Sequence, residues 1–333
     1  MQKIDKHIKE YDRRQFFSRF FKAGFSIAAA CTLGYGFYDP EGPHHASRHL
    51  SADPTADVFP DFSVPEARGR ICRVREADRA KALGLALEAL GGIGAFIRKG
   101  DRVLLKVNAA FASPPVLSAT THPLLVAEMI KHCFRAGAGE VVVTDNPIND
   151  PRSCFLLTGI GKAAEDAGAR VVLPEERLFK PMTVPGAALI RNWPVLFEPF
   201  NGIDKVIGMA PVKDHHRSGA SMTLKNWYGL LGGRRNIFHQ KIHDIIMELS
   251  LLIRPTLVVL DGTTPMITNG PTGGSLSDLV TANTLIAGTD PVAADVLGAT
   301  LLDKSAHDFP YIGKAEAAGA GTTDYRSLDF QEI

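Results

Sequence analysis

From residue 70 onward the chain alternates two kinds of hydrophobic spacing. Short apolar runs at Ile71 to Val74, Val103 to Val107, Glu140 to Thr144, Arg170 to Leu173, Lys205 to Ala210, Thr256 to Leu260 and Thr284 to Ala287 read as buried strands. Between them lie stretches whose apolar residues recur every three or four positions. These predict helices over Ala77 to Ile97, Pro123 to Arg135, Ser153 to Ala167 and Pro291 to Leu302. Such alternation predicts an α/β fold with a mostly parallel sheet and helices on both faces, in one lobe or two. The glycines of LGGIGAF (residues 90–96) precede a strand instead of following one, so they mark a helix end or kink and not a dinucleotide loop.

Polar residues gather where the strands stop. Lys106 and Asn108, Asp145 and Asn146, Lys213 and His215, Asp261 and Asp290 all lie at or just past predicted strand ends, where open parallel sheets collect ligands. Asp290, ahead of Pro291, has the pattern of a helix N-cap. The densest group runs from Lys205 to His243. A strand closed by Pro211 is followed by Lys213, Asp214, His215, His216 and Arg217, then by a helix predicted from Met222 to Leu231 with Ser221 as its N-cap and Gly232 and Gly233 as its stop. That helix carries Lys225 and Asn226. Beyond it come Arg234 and Arg235, and a second predicted helix sets His239 and His243 four residues apart on one face. A helix N-terminus flanked by lysines and arginines suits a carboxylate or phosphate, and the imidazoles add acid–base or metal-binding capacity.

With 333 residues and 45% hydrophobic composition, the chain can bury one large core or two smaller ones. Net charge is +1, but residues 1–38 hold seven Lys or Arg against three Asp or Glu, which leaves a slightly acidic body and argues against a nucleic-acid partner. The four cysteines, Cys31, Cys72, Cys133 and Cys154, include no C-x-x-C pair, so the chain's own thiolates do not supply an iron–sulfur cluster or a zinc ribbon. Cys72 and Cys133 fall in strand and helix patterns and read as buried thiols, with a disulfide from Cys72 to Cys133 or Cys154 the alternative in an oxidising compartment.

The N-terminus resembles a twin-arginine (Tat-type) export signal: Arg13 and Arg14 precede Phe16 and Phe17, and an uncharged segment runs from Ala23 to Phe37. Asp12 stands where Ser or Thr is commonest. Cys31 after three alanines leaves cleavage, lipidation at that residue and a retained anchor as alternatives. The expected organisation is a signal or anchor over 1–38, a Pro- and His-rich linker over 39–69, an α/β domain over 70–320 and a C-terminal tail over 321–333. The expected location is the periplasm or the outer face of the inner membrane, with the twin-arginine machinery as a partner.

Taken together, GDRVLLKVN, TTHP, VVVTDNP, the block K-x-H-H…S…T-L-K-N-x-x-G…R…H, VVLDG, GPTGG and GTDPVAAD resemble the bacterial family named domain of unknown function 362. Many of its members carry an added ferredoxin-like module, which implies redox work. This chain lacks that module and its cysteines, so any electron-transfer role would need a separate redox partner or a bound cofactor. The leading expectation is an exported enzyme acting on a small anionic molecule. Lys106, Asn108, Asp145, Lys225, Asn226 and Arg235 are the candidate substrate-binding residues, and His216, His239 and Lys213 the candidate acid–base groups. A metal ion held by His215, His239 and His243, with Asp261 as a fourth ligand, is the candidate cofactor. The alternative is a non-catalytic carrier that delivers an anion or cofactor to a membrane redox complex.

Overall fold

The computed structural model describes residues 58–333; the twin-arginine segment and Cys31 lie outside the described residues. In chain order the elements are β1 (Arg70–Arg75), α1 (Arg79–Ala89), β2 (Arg102–Lys106), α2 (Pro123–Arg135), β3 (Glu140–Thr144), α3 (Pro151–Leu157), α4 (Ile160–Asp166), β4 (Arg170–Val172), β5 (Phe179–Met182) and β6 (Trp193–Leu196). They continue with β7 (Lys205–His215), β8 (Gly219–Ser221), α5 (Thr223–Asn226), α6 (Ile242–Leu252), β9 (Leu257–Met266), β10 (Thr284–Gly288), α7 (Pro291–Ala299), α8 (Pro310–Ala317) and β11 (Asp329–Glu332).

Nine strands form one sheet in the order β11-β1-β10-β9-β7-β2-β3-β4, with β8 folded back on β7. β9, β7, β2, β3 and β4 run parallel in sequence, and β11 is parallel to β1. The antiparallel pairings are β1 with β10, β10 with β9, and β7 with β8. Alternation along the strands sorts their side chains between two cores. Leu104, Val142, Val206, Val258 and Ile286 pack with α6, α7 and α8 on one face. Val103, Leu105, Val141, Val143, Ile207 and Val259 pack with α1, α2 and α4 on the other.

Several boundaries differ from the sequence pattern for identifiable reasons. The first helix ends at Ala89 because Gly91 and Gly92 take positive φ, a conformation that closes helices. The helix predicted over Ser153 to Ala167 is two helices broken at Gly159 (φ 71°). β7 does not stop at Pro211: its pairing with β9 shifts register between Pro211 and Lys213, a bulge that tolerates the missing N–H, and the strand runs on into a hairpin. Residues 58–69 belong to the folded body and not to a linker, since Phe59 and Phe62 are buried and their amides bond to the carbonyls of Leu252 and Arg254. The last residues are likewise no free tail: β11 adds an edge strand to the sheet. Cys72, Cys133 and Cys154 are buried free thiols, and burial pushes their pKa values up to about 12, 12 and 11. Among the described residues no helix is long and apolar enough to cross a membrane.

Candidate functional site

The carboxyl ends of β2, β3 and β7 open onto a cavity of about 370 Å³. Its wall takes Asn108 from the loop after β2, Asp145 and Asn146 from the loop after β3, and Lys213, His215 and His216 from the β7–β8 hairpin. It also takes Lys225 and Asn226 from α5, Arg235 and His239 from the 3-10 segment Arg235–Lys241, and Gly270 to Thr272 from the loop after β9. Phe111, Ile148 and Pro271 add apolar surface.

Two of the expected features are absent. The segment predicted as a helix from Met222 to Leu231 is a single turn, Thr223–Asn226, continued by a 3-10 stretch over Trp227–Leu230. Ser221 ends β8 and does not cap that turn. The first amides belong to Asp295 of α7: Thr223 N donates to its carboxylate at 2.8 Å, Leu224 N at 3.3 Å and the Thr223 hydroxyl at 2.5 Å. The Thr223 and Leu224 amides of this turn are therefore not open to an anion. Burial of Asp295 raises its pKa to about 7, against these three hydrogen bonds.

The second correction concerns metal binding. His239 lies in the 3-10 segment and His243 in α6, so the two do not share a helix face. The His243 ring instead stacks against Tyr311, with centroids 6.1 Å apart. Asp261 lies within β9 and pairs with Arg79 at 2.8 Å. His215, His239, His243 and Asp261 do not form a ligand set, and no group of three or more His, Cys, Asp or Glu among the described residues could hold a metal.

Hydrogen bonding separates the polar residues around the cavity into scaffold and free groups. Lys106, 0% exposed, gives its ammonium to Asp145 at 2.7 Å, to the Val107 and Asn226 carbonyls at 2.7 and 2.8 Å, and to Asn226 Oδ1 at 3.1 Å. Burial lowers its pKa, partly offset by Asp145. Asn226 is equally occupied: its amide donates to the Lys106 and Met209 carbonyls, and its oxygen also accepts from Asn108 Nδ2. Asp145 takes the Ala109 amide at 2.7 Å. Arg235 spends its two terminal nitrogens on four carbonyls, those of Tyr228, Leu231, Asn146 and Pro147, at 2.6 to 3.2 Å. Lys106, Asn226 and Arg235 tie the loops together through these bonds, and Asn226 and Arg235 also line the cavity. Gly229 makes this possible, because a Cβ there would overlap Asp145 Oδ1 and stand 2.8 Å from Lys106 Nζ.

The free groups are fewer. Lys213 is buried and donates to the Ala119 carbonyl at 2.5 Å, with Asn108 Oδ1 at 3.5 Å and the Phe111 ring centroid at 5.1 Å. Lys225 is 9% exposed and faces the Tyr228 ring at 5.0 Å, and no acceptor or carboxylate among the described residues reaches its Nζ. The Tyr228 hydroxyl itself donates to the Arg235 carbonyl. Burial brings both lysines down to about 7, with Lys225 adding to the shift at Lys213 and Arg235 to that at Lys225.

Three imidazoles complete the wall in a stack, with His215 5.0 Å from His216 and 6.2 Å from His239, all within 9° of parallel. Their partners assign the tautomers. His215 Nδ1 accepts from the amides of Arg217 and Ser218, so its proton sits on Nε2. Burial, then Lys225 and the neighbouring cations, pushes its pKa down to about 2, so the ring is a neutral donor. His239 Nδ1 faces the Asn236 carbonyl at 3.1 Å and carries the proton, which leaves Nε2 as a free base. Burial lowers the pKa of His239, the Asn236 carbonyl opposes the shift, and Lys225 adds to it. His216 Nδ1 points to the Gly270 carbonyl at 3.4 Å.

A model of the family described as domain of unknown function (DUF362) matches residues 103–300, which include every residue of the cavity wall. The chain belongs to the DUF362 family. Among curated sequences it is similar to a thylakoid-associated protein of Synechocystis sp., 25% identical over 260 residues that cover 73% of this chain and 75% of the relative. Among solved structures it is similar to the lactate racemase apoprotein of Thermoanaerobacterium thermosaccharolyticum, at TM-score 0.37 and 12% identity. It is also similar to a Thermotoga maritima protein, at TM-score 0.32 and 11% identity. Each alignment covers 73% of this chain, which spans only 61% and 58% of those two structures.

Sequence reasoning gave no role to Tyr228, or to Gly229 and Asp295, which stand in the T-L-K-N-x-x-G and GTDPVAAD motifs. Asp295 had a signal: a carboxylate in the middle of the apolar helix PVAADVLGA must face something polar.

Proposed function

We propose that this DUF362 protein is an enzyme that binds a small carboxylate in the cavity and moves a proton at the carbon or oxygen beside it. The observation that carries this reading is the Lys225 amine, nine-tenths buried at the cavity wall with no acceptor among the described residues. An anion is the group that would complete it. Lys213 and the Nε2–H of His215 offer two more donors on the same wall, and Phe111, Ile148 and Pro271 would exclude water from the rest of a small ligand. His239 Nε2, neutral and unprotonated near pH 7, is the base; the neutral His215 donor would stabilise developing negative charge.

The test is calorimetric titration of the folded protein with acetate, pyruvate, glyoxylate and inorganic phosphate, repeated with Lys213→Met and His239→Asn. The expected result is carboxylate binding that Lys213→Met weakens at least about tenfold and His239→Asn leaves intact, with turnover lost in the latter. Binding without turnover of any bound compound would identify a carrier; folded variants with unchanged affinity would remove the site.

We also infer export by the twin-arginine route. Arg13, Arg14 and the uncharged segment 23–37 support it, and the name of the thylakoid-associated relative fits a setting beside a membrane. Replacing both arginines by lysine and fractionating cells tests it: retention of unprocessed protein in the cytoplasm is expected, and unchanged fractionation refutes it.

A further inference from the structure

We propose that Lys225 is a nucleophile that captures the carbonyl carbon of a 2-oxo acid as an imine, an inference that rests on the carboxylate site described above. The geometry distinguishes Lys225 from a lysine that only holds an anion. An anion-holding lysine gains from every nearby acceptor, yet here the neighbouring acceptors are assigned elsewhere: Asp145 to Lys106 and the Ala109 amide, Asn226 Oδ1 to Lys106 and Asn108, and the Arg235 carbonyl to Tyr228. Its charged neighbours are cations, Arg235 and Lys213. Burial among like charges and beside an aromatic ring favours the neutral amine, the form whose lone pair attacks carbon. At pH 7 a lysine with a pKa of about 7 holds roughly a thousandfold more free amine than an exposed one.

The cavity supplies what the reaction needs. Lys213 and the His215 Nε2–H take the carboxylate, which leaves the adjacent carbonyl for Lys225. Attack by Nζ forms the C–N bond as the carbonyl π pair moves to oxygen. His239 Nε2 takes a proton from the resulting ammonium and returns it to that oxygen, giving a neutral carbinolamine. The C–O bond then breaks, its electron pair leaves as water with the remaining nitrogen proton, carried across by His239, and the nitrogen lone pair closes the C=N bond. Amine and ketone become imine and water with no change of oxidation state. The C–H bonds beside the imine carbon are then acidified, in reach of the same base.

The experiment incubates the full chain with pyruvate or glyoxylate near pH 7, adds sodium borohydride, and locates reduced adducts by intact mass and peptide mapping. The expected result is one adduct on Lys225, formed at least about a hundredfold faster than on exposed Lys162, with a rate that rises with pH toward 7 as the Lys225 amine is freed and falls above it as Lys213 loses the charge that holds the carboxylate. Lys225→Arg, whose guanidinium offers no nucleophilic amine, should lose the adduct. Lys213→Met should lose both acetate binding and the adduct. Acetate binding with no Lys225 adduct overturns this proposal and leaves the carboxylate site standing. Loss of acetate binding together with scattered labelling of surface lysines overturns both.

Discussion

Lys225→Met tests whether the site is assembled at the expense of stability. The lysine is 9% exposed, and its pKa falls from 10.5 to about 7 on folding, chiefly through burial and then through Arg235. Below about pH 7 both folded and unfolded chains hold the proton. Between about pH 7 and 10.5 the unfolded chain holds it and the folded chain does not, so wild-type stability rises with pH through that window. Each tenfold loss of proton affinity on folding is worth about 1.4 kcal/mol, so Lys225 costs the fold about 4–5 kcal/mol at neutral pH, less whatever water at the cavity mouth recovers. Methionine keeps the stem and removes the charge. The variant should therefore be more stable than wild type at pH 7, by several kcal/mol, and the gap should shrink as pH approaches 10. Lys213 adds to the gain in the same direction, because losing a cationic neighbour returns part of its proton affinity. Urea denaturation of both proteins at pH 7.0 and about 9.5 measures the gap. A variant that is less stable at pH 7, or a gap that does not change with pH, would refute the account of a desolvated, unpaired amine.

Four further outcomes follow from the same geometry. Gly229→Ala should destabilise by more than about 3 kcal/mol in thermal or chemical denaturation, since the new methyl group would overlap Asp145 Oδ1 and the buried Lys106 pair has no room to shift. Asp295→Ala should cost about 2–4 kcal/mol by leaving the Thr223 and Leu224 amides unpaired, whereas Asp295→Asn should cost less because its oxygen still accepts. Arg235→Lys should lower the melting temperature and weaken acetate binding together, because one ammonium cannot serve four carbonyls in two loops. Acetate affinity in the wild type should fall roughly tenfold per pH unit above about 7 as Lys213 loses its charge, measured by calorimetry; a flat profile from pH 6 to 9 would exclude Lys213 as the anion's partner.

Seven of the nine strands of the sheet were legible because their apolar runs are short and flanked by turn residues, a pattern that needs no knowledge of partners, whereas β8 and β11 carry no such run. Pro123–Arg135 was legible for a different reason: His122 caps it, Pro123 opens it and one side of it stays polar. The stretch Thr223–Leu230 defeated the same logic. Seven of its eight residues are buried, so no polar face reports a period, and its start is fixed by Asp295 some seventy residues away. The Arg217–Ser218–Gly219 turn carries the same residue types that open a helix, and only pairing with β7 makes it a hairpin.

The candidate site shows the same division between local and non-local information. That charged residues gather at strand ends could be read from their positions, because a parallel sheet presents those ends together. Which of them remain available could not, because availability depends on the carbonyls that each side chain meets. Lys106 and Arg235 look in sequence as suited to an anion as Lys225 does. In the fold they meet backbone oxygens from loops far along the chain and become part of the frame. The consequence is that the frame consumes cations to hold Lys225 where no acceptor reaches it. A purely structural role for those buried charges would have given Lys225 a partner as well, as Lys106 has Asp145.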